Sequence, residues 1–154
     1  MIELCLVLAL LSVAAALIAP SLSRFMCGHT LNAEARRLLS LTHAAQSRAV
    51  SEGIPVLLWF DAAQATYGTE EESRSEATDP KALQFTLSDR LRLTVVKATS
   101  LATQKKHLPA MRFLPDGSID ETSPASVQLS DTFGTALTLQ QTRNRMGYEI
   151  QHAE

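Results

Sequence analysis

Cysteine is scarce: the 154 residues include two, Cys5 and Cys27. Neither forms a Cys-x-x-Cys pair or a Cys/His spacing, which removes the usual grounds for a zinc site. On one continuous helix their 22 steps of about 1.5 Å separate them by about 33 Å, too far to bridge within the chain. They read as small apolar fillers. Charge is also modest, at 19% of residues with a formal net charge of -2. That balance excludes a strongly basic nucleic-acid footprint and an acidic disordered tail. Gly-x-Ser-x-Gly, His-Glu-x-x-His, P-loop and dinucleotide fingerprints are missing, and His29, His43, His107 and His152 sit in unrelated contexts. No catalytic residue, cofactor site or metal site is therefore expected, and the chain does not read as an enzyme.

What the sequence does have is one long hydrophobic run. Between Leu4 and Ala19 only Ser12 is not apolar, and the run meets Pro20. With Met1 and Ile2 it approaches the roughly 20 apolar residues needed to cross about 30 Å of hydrocarbon. A retained membrane helix is favoured over a cleaved secretory signal, because no Lys or Arg precedes the run and Ala19-Pro20-Ser21 is a poor small-x-small cleavage site.

Beyond the run, Leu31, Ala35, Leu38, Thr42, Ala45 and Ala49 alternate in steps of four and three, the spacing of one helical stripe. Asn32, Glu34, Arg36, Arg37, Gln46, Arg48 and Glu52 fall largely on the other faces. Gly53 and Ile54-Pro55 stop the helix. One helix over residues 2–52, bent at Pro20 and loosened near Gly28, is the economical reading.

After Gly53 the period changes. Val56–Phe60, a turn at Asp61–Gln64 and Ala65–Tyr67 read as a hairpin. Residues 68–81, with Glu70, Glu71, Glu72, Glu76 and Asp79, read as a solvated acidic loop; a cation site there is disfavoured because sequential glutamates seldom converge on one ion. Further strands are expected at 83–87, 91–96, 111–114, 119, 127–129, 136–139 and 148–151, with Pro115-Asp116-Gly117 as a strong turn signal. The fold class is therefore α+β: a long N-terminal membrane-spanning helix packed on a small antiparallel sheet pair or sandwich. Residues 1–22 form its transmembrane part, 23–52 its amphipathic half, and 53–154 a β-rich globular domain.

Met1-Ile2-Glu3-Leu4 resembles the last four positions of the Phe-Thr-Leu-Ile-Glu-Leu opening of mature type IV pilin-like proteins, with Met in place of Leu, and Pro20 falls where these proteins bend their helix. Ala44–Ala49, Gly53-Ile54-Pro55-Val56 and Phe113-Leu114-Pro115-Asp116-Gly117-Ser118 narrow the resemblance to minor pseudopilins of the H type and FimT-type minor pilins. A common Thr-Gly-Arg-x-Arg ending is approximated by Thr142-Arg143-Asn144-Arg145, without the glycine.

The resemblance implies a subunit of a periplasmic filament rooted in the bacterial inner membrane, with other pilin-like subunits, a prepilin peptidase and methylase, an assembly platform and the lipid bilayer as partners. Glu3 would then meet a neighbouring subunit's N-terminal amine. Arg143 and Arg145 offer a weak contact to phosphates, too few charges for nucleic acid to be an expected partner. A type II secretion pseudopilus and a type IV pilus use the same helix and sheet, and a plain single-pass anchor for a β-domain is the third reading. The family's short basic leader ending in glycine is expected upstream of Met1. Without it, Arg24, Arg36 and Arg37 would direct the domain to the cytoplasm by the positive-inside rule.

Overall fold

The computed structural model describes residues 2–72, 79–96, 100–102 and 107–152, and their side chains except at 2, 16–27, 100–102 and 107. Helix α1 runs unbroken from Ile2 to Glu52, 51 residues, through Pro20 and Gly28. The apolar stripe sets its packing: Leu31, Ala35, Leu38, Thr42, Ala45 and Ala49 are all buried, joined by Leu41. Small alanines at three of these six positions, Ala35, Ala45 and Ala49, let the helix axis approach the strands closely. Gly53 ends α1 with a φ of 68°, and its N–H donates to Ala49 O at 3.0 Å. A left-handed residue costs glycine little, which is why the stop falls there.

The strands are β1 (Val56–Asp61), β2 (Thr66–Glu71), β3 (Leu83–Thr86), β4 (Leu91–Val96), β5 (Ser100–Ala102), β6 (His107–Phe113), β7 (Ser126–Asp131), β8 (Ala136–Gln141) and β9 (Tyr148–His152). They form a five-stranded sheet ordered β3-β2-β1-β6-β5 and a four-stranded sheet ordered β4-β7-β8-β9. Every pairing between them is antiparallel. Helix α1 touches β1 and β6 of the first sheet and β7, β8 and β9 of the second. One core therefore joins the helix stripe to Val56, Leu58, Phe60, Met111 and Phe113 on one side and Val127, Leu129, Leu137, Leu139 and Tyr148 on the other. The fold is α+β, one N-terminal helix packed on antiparallel sheets.

Several local readings change. The hairpin forms, but Ala65 belongs to its turn with a φ of 50°, and Asp61 Oδ1 accepts the N–H groups of Ala63 and Gln64 at 3.1 and 3.0 Å. The acidic loop starts later than its composition implies, because Gly68, Thr69, Glu70 and Glu71 continue β2 opposite Trp59, Leu58, Leu57 and Val56. Gly68 is required there: a Cβ would stand 2.1 Å from Leu83 O and 2.7 Å from the Trp59 ring. Leu114 leaves the strand to open a turn, accepting the Gly117 N–H at 2.9 Å, and Ile119 adds a single bridge to Phe113. The pairing of β5 with the first half of β6 was not expected from the sequence.

Candidate functional site

The described helix has two physically different parts. From Leu31 onward one stripe is buried and the opposite face is wet. Before that, Leu4, Leu6, Val7, Leu8, Leu10, Leu11 and Val13 are all exposed, between 52% and 67%. Leu4, Leu6, Val7, Leu8, Leu10, Leu11 and Val13 take most of the circumference, and the exposed Cys5 and Ala9 carry apolar surface around the remaining side. Such a segment has no wet face of its own and fits a surrounding that is apolar all round. Its polar groups are few: the Ser12 hydroxyl donates back to Ala9 O at 2.8 Å, and Glu3 is the one acid in the first turn. Cys5 is a free, exposed thiol on the same arm. Among the described residues no helix is long and apolar enough to cross a membrane; the described side chains of the arm stop at residue 15.

Polar contacts at three places along the helix fix the arm's root to the domain. Tyr67, buried in the core, donates its hydroxyl to Glu34, and Arg37 lies 3.6 Å from the same carboxylate and 5.1 Å from the centre of the Phe85 ring. Burial, then the Glu34 carboxylate, pushes the Tyr67 hydroxyl above the ordinary phenol range. At the other end Arg48 grips Asp79 through two bonds of 2.9 and 2.8 Å and Glu52 through one of 2.9 Å. Lys81 closes on Glu52 at 2.5 Å. Between them Gln46 donates from Nε2 to Gly117 O at 2.5 Å and Met146 O at 2.9 Å, tying two loops to the helix. Glu34, Gln46 and Arg48 lie off the buried stripe, as periodicity places them, and all three reach sideways into the domain.

Arginines pair with Glu71, Glu72 and Asp79 of the acidic segment. Arg48 takes Asp79 and stands 3.7 Å from Glu71, while Arg112 takes Glu72 at 2.6 Å and Asp120 at 3.3 Å. Glu76 lies outside the described residues. Among the described residues no group of His, Cys, Asp and Glu is arranged to hold a metal ion.

Arg143 and Arg145 share the loop between β8 and β9. Arg145, at a φ of 55°, is engaged: its guanidinium donates to Glu121 at 2.6 Å and its carbonyl accepts the Ile119 N–H at 3.1 Å. Arg143 is exposed. The stretch 142–147 is shaped from within by Thr142 and Asn144, and Asn144 Oδ1 accepts the Met146 N–H at 3.2 Å.

A long helix laid across antiparallel sheets, with an uncovered apolar arm, defines the pilin-like class. The comparisons agree: the profile of the family described as "Type II transport protein GspH" matches residues 34–147, and the chain belongs to that family. Membership supports a minor pseudopilin of type II secretion, with a FimU-like minor pilin as the alternative, and the family is one of structural subunits not known for catalysis. Membership implies a filament of pilin-like subunits, in the periplasm and anchored at the inner membrane. Among solved structures, the minor pseudopilin EpsH of Vibrio cholerae superposes with a TM-score of 0.60 at 11% identity, covering 82% of this chain and 96% of that one. The type IV minor pilin FimU of Pseudomonas aeruginosa superposes with a TM-score of 0.55 at 14% identity, covering 84% and 92%. At these identities the likeness is one of fold. No curated protein matches by sequence.

Proposed function

We propose that this subunit is held by a single pass through the inner membrane and joins a short periplasmic pseudopilus that drives protein export. Residues 1–22 would lie in the bilayer, 23–52 would carry the helix into the periplasm with its bend at Pro20, and 53–154 would form the globular head. The observation that carries this reading is the arm itself, apolar on every side at one end of a helix whose other end is sealed into a domain. An all-round apolar helix is stable in lipid and equally in a bundle of like helices, so it can pass from one to the other.

Glu3 supplies the direction of assembly in this proposal. A carboxylate in low dielectric is costly alone and strongly attracted to a cation. A neighbouring subunit's N-terminal amine is such a cation. A prepilin peptidase and methylase that prepares this amine and an inner-membrane assembly platform are the further partners. The likeness to FimU supports a second reading, a minor pilin that primes a type IV pilus. Deleting the gene separates the two: loss of exoprotein export with surface pili intact supports the pseudopilus, and loss of piliation with normal export supports the pilus.

A further inference from the structure

The four strands at the sheet edges are not alike. β3 has four residues and β5 three, and β9 carries Glu149, Gln151 and His152, all exposed. Short strands and charged or polar side chains are the usual guards against further pairing. β4 has six residues, Leu91-Arg92-Leu93-Thr94-Val95-Val96, without proline. Its register with β7 runs from Leu91 opposite Asp131 to Val96 opposite Ser126 without a bulge. It is the longest of the four edges, and it is apolar at Leu91, Leu93, Val95 and Val96.

The backbone of β4 shows which groups are open. Leu91 N–H donates to Ser88 O at 2.8 Å, inside the turn before the strand, and across the ladder Asp131 N–H donates to Thr135 O at 2.9 Å, away from β4. N–H and C=O groups switch sides at each residue of an antiparallel strand. Arg92, Thr94 and Val96 therefore bond to β7, and the backbone groups of Leu93 and Val95 point to the other side, beyond which the sheet has no strand. The side chains are uncovered in step with this. Leu93 and Val95 pack on the core but are only half-buried, and on the outer face Val96 is 39% exposed and Arg92 is exposed. Among the described residues Arg92 has no carboxylate partner, and the neighbouring outer positions of β7 and β8, Ser130, Gln128, Ala136 and Thr138, carry no charge.

We infer that the open edge of β4 binds an extended polypeptide segment as an added antiparallel strand, one with apolar side chains facing Leu93 and Val95 and a carboxylate facing Arg92. The backbone groups of Leu93 and Val95 specify the extended conformation, since an extended chain presents donors and acceptors at their spacing. Apolar side chains on the core side complete the cover over Leu93 and Val95. The carboxylate follows from Arg92, whose charge nothing on that face offsets. A second copy of this edge would bring another Arg92 and no carboxylate, so it fits less well. The open edge belongs to the globular part and is independent of how the arm assembles.

The probe is a fluorescein-labelled peptide, Thr-Val-Thr-Val-Glu-Val, which laid antiparallel places its valines opposite Val95, Leu93 and Leu91 and its glutamate opposite Arg92. The expected result is a saturable rise in its fluorescence anisotropy with the full chain in detergent micelles, absent with micelles alone. Methylating the amide nitrogens of the valines opposite Val95 and Leu93, which face β4, should weaken binding about tenfold or more. Methylating those of the threonine opposite Thr94 and the glutamate opposite Arg92, which face away, should change it by less than about twofold. Glutamate to lysine in the peptide should weaken binding severalfold, and Arg92→Glu in the chain, at an exposed position, should reverse that preference. No saturable binding, equal sensitivity to the two methylation patterns, or a charge preference that Arg92→Glu leaves unchanged would each overturn the inference. So would a chain that pairs with itself through β4 and excludes the peptide, which would assign the edge to a second copy.

Discussion

Arg48 and Asp79 face each other through two parallel hydrogen bonds of 2.9 and 2.8 Å, joining the last turns of the helix to the connection after β2. The Asp79 side chain has no exposure and that of Arg48 only 14%. The carboxylate also accepts the backbone N–H groups of Glu71 and Lys81, at 2.9 and 2.8 Å. Arg48→Met would leave this buried charge with backbone donors alone. We expect a loss of about 3 kcal/mol, the scale for removing one partner of a buried pair, measured by urea unfolding of a fragment covering residues 28–154. The double variant Arg48→Met with Asp79→Asn should recover part of that loss.

The same pair sets a pH dependence. Burial of Asp79 opposes its ionisation, but Arg48 and the Lys81 and Glu71 N–H groups outweigh burial and hold the carboxyl below the ordinary range. Its folded pKa is thus below the unfolded value of about 3.9. The contribution is fully present above that value and lost as pH falls through the folded pKa. Urea midpoints should drop on acidification below about pH 4, and less steeply in Asp79→Asn than in the parent.

Gly68→Val should fail differently, by collision. Its Cβ would meet Leu83 O and the Trp59 ring, one of them backbone that cannot step aside. Overpacking of this kind costs about 1–3 kcal/mol. Because the clash is against the single tryptophan, a changed fluorescence spectrum of the folded fragment should accompany the loss.

Leu38→Ala tests the helix stripe. Leu38 is 1% exposed and lies in the core shared with both sheets. A loss of about 2–5 kcal/mol is expected, with the sheets retaining much of their far-ultraviolet circular dichroism only if they fold without the helix. A fully cooperative loss of helix and strand signals together is the outcome expected of one common core.

Glu3→Ala should separate insertion from assembly. Removing a carboxylate at the edge of an apolar run lowers its transfer cost, so membrane fractionation should be unchanged. Crosslinking to other pilin-like subunits should fall severalfold, because the acid that attracts a neighbour's amine is gone. Undiminished crosslinking and normal secretion would mean Glu3 is merely an interfacial charge.

Which features were readable in advance follows from how local their causes are. Leu31, Ala35, Leu38, Thr42, Ala45 and Ala49 announce the buried face of α1 because a helix repeats every 3.6 residues whatever it packs on. Gly53 and the Pro115-Asp116-Gly117 turn were legible for a similar reason, since left-handed or preset dihedrals belong to the residue itself. The apolar arm needs only composition. Strand order, by contrast, depends on partners far along the chain: nothing local places β6 beside β1, or β4 beside β7 and away from β3. Glu70 and Glu71 looked like loop because charge is read as exposure, yet both continue β2 opposite Leu57 and Val56, with Arg48 standing 3.7 Å from Glu71. Arg48, Gln46 and Glu34 leave the helix surface off the buried stripe, at points that periodicity predicts, and end at Asp79, Gly117 and Tyr67, which it does not. Sequence alone determined the helix, its arm and the candidate acid at its tip; only tertiary structure decided how the arm is rooted and which strand keeps an open edge, because those rest on contacts between segments that chain connectivity leaves free to pair in many ways.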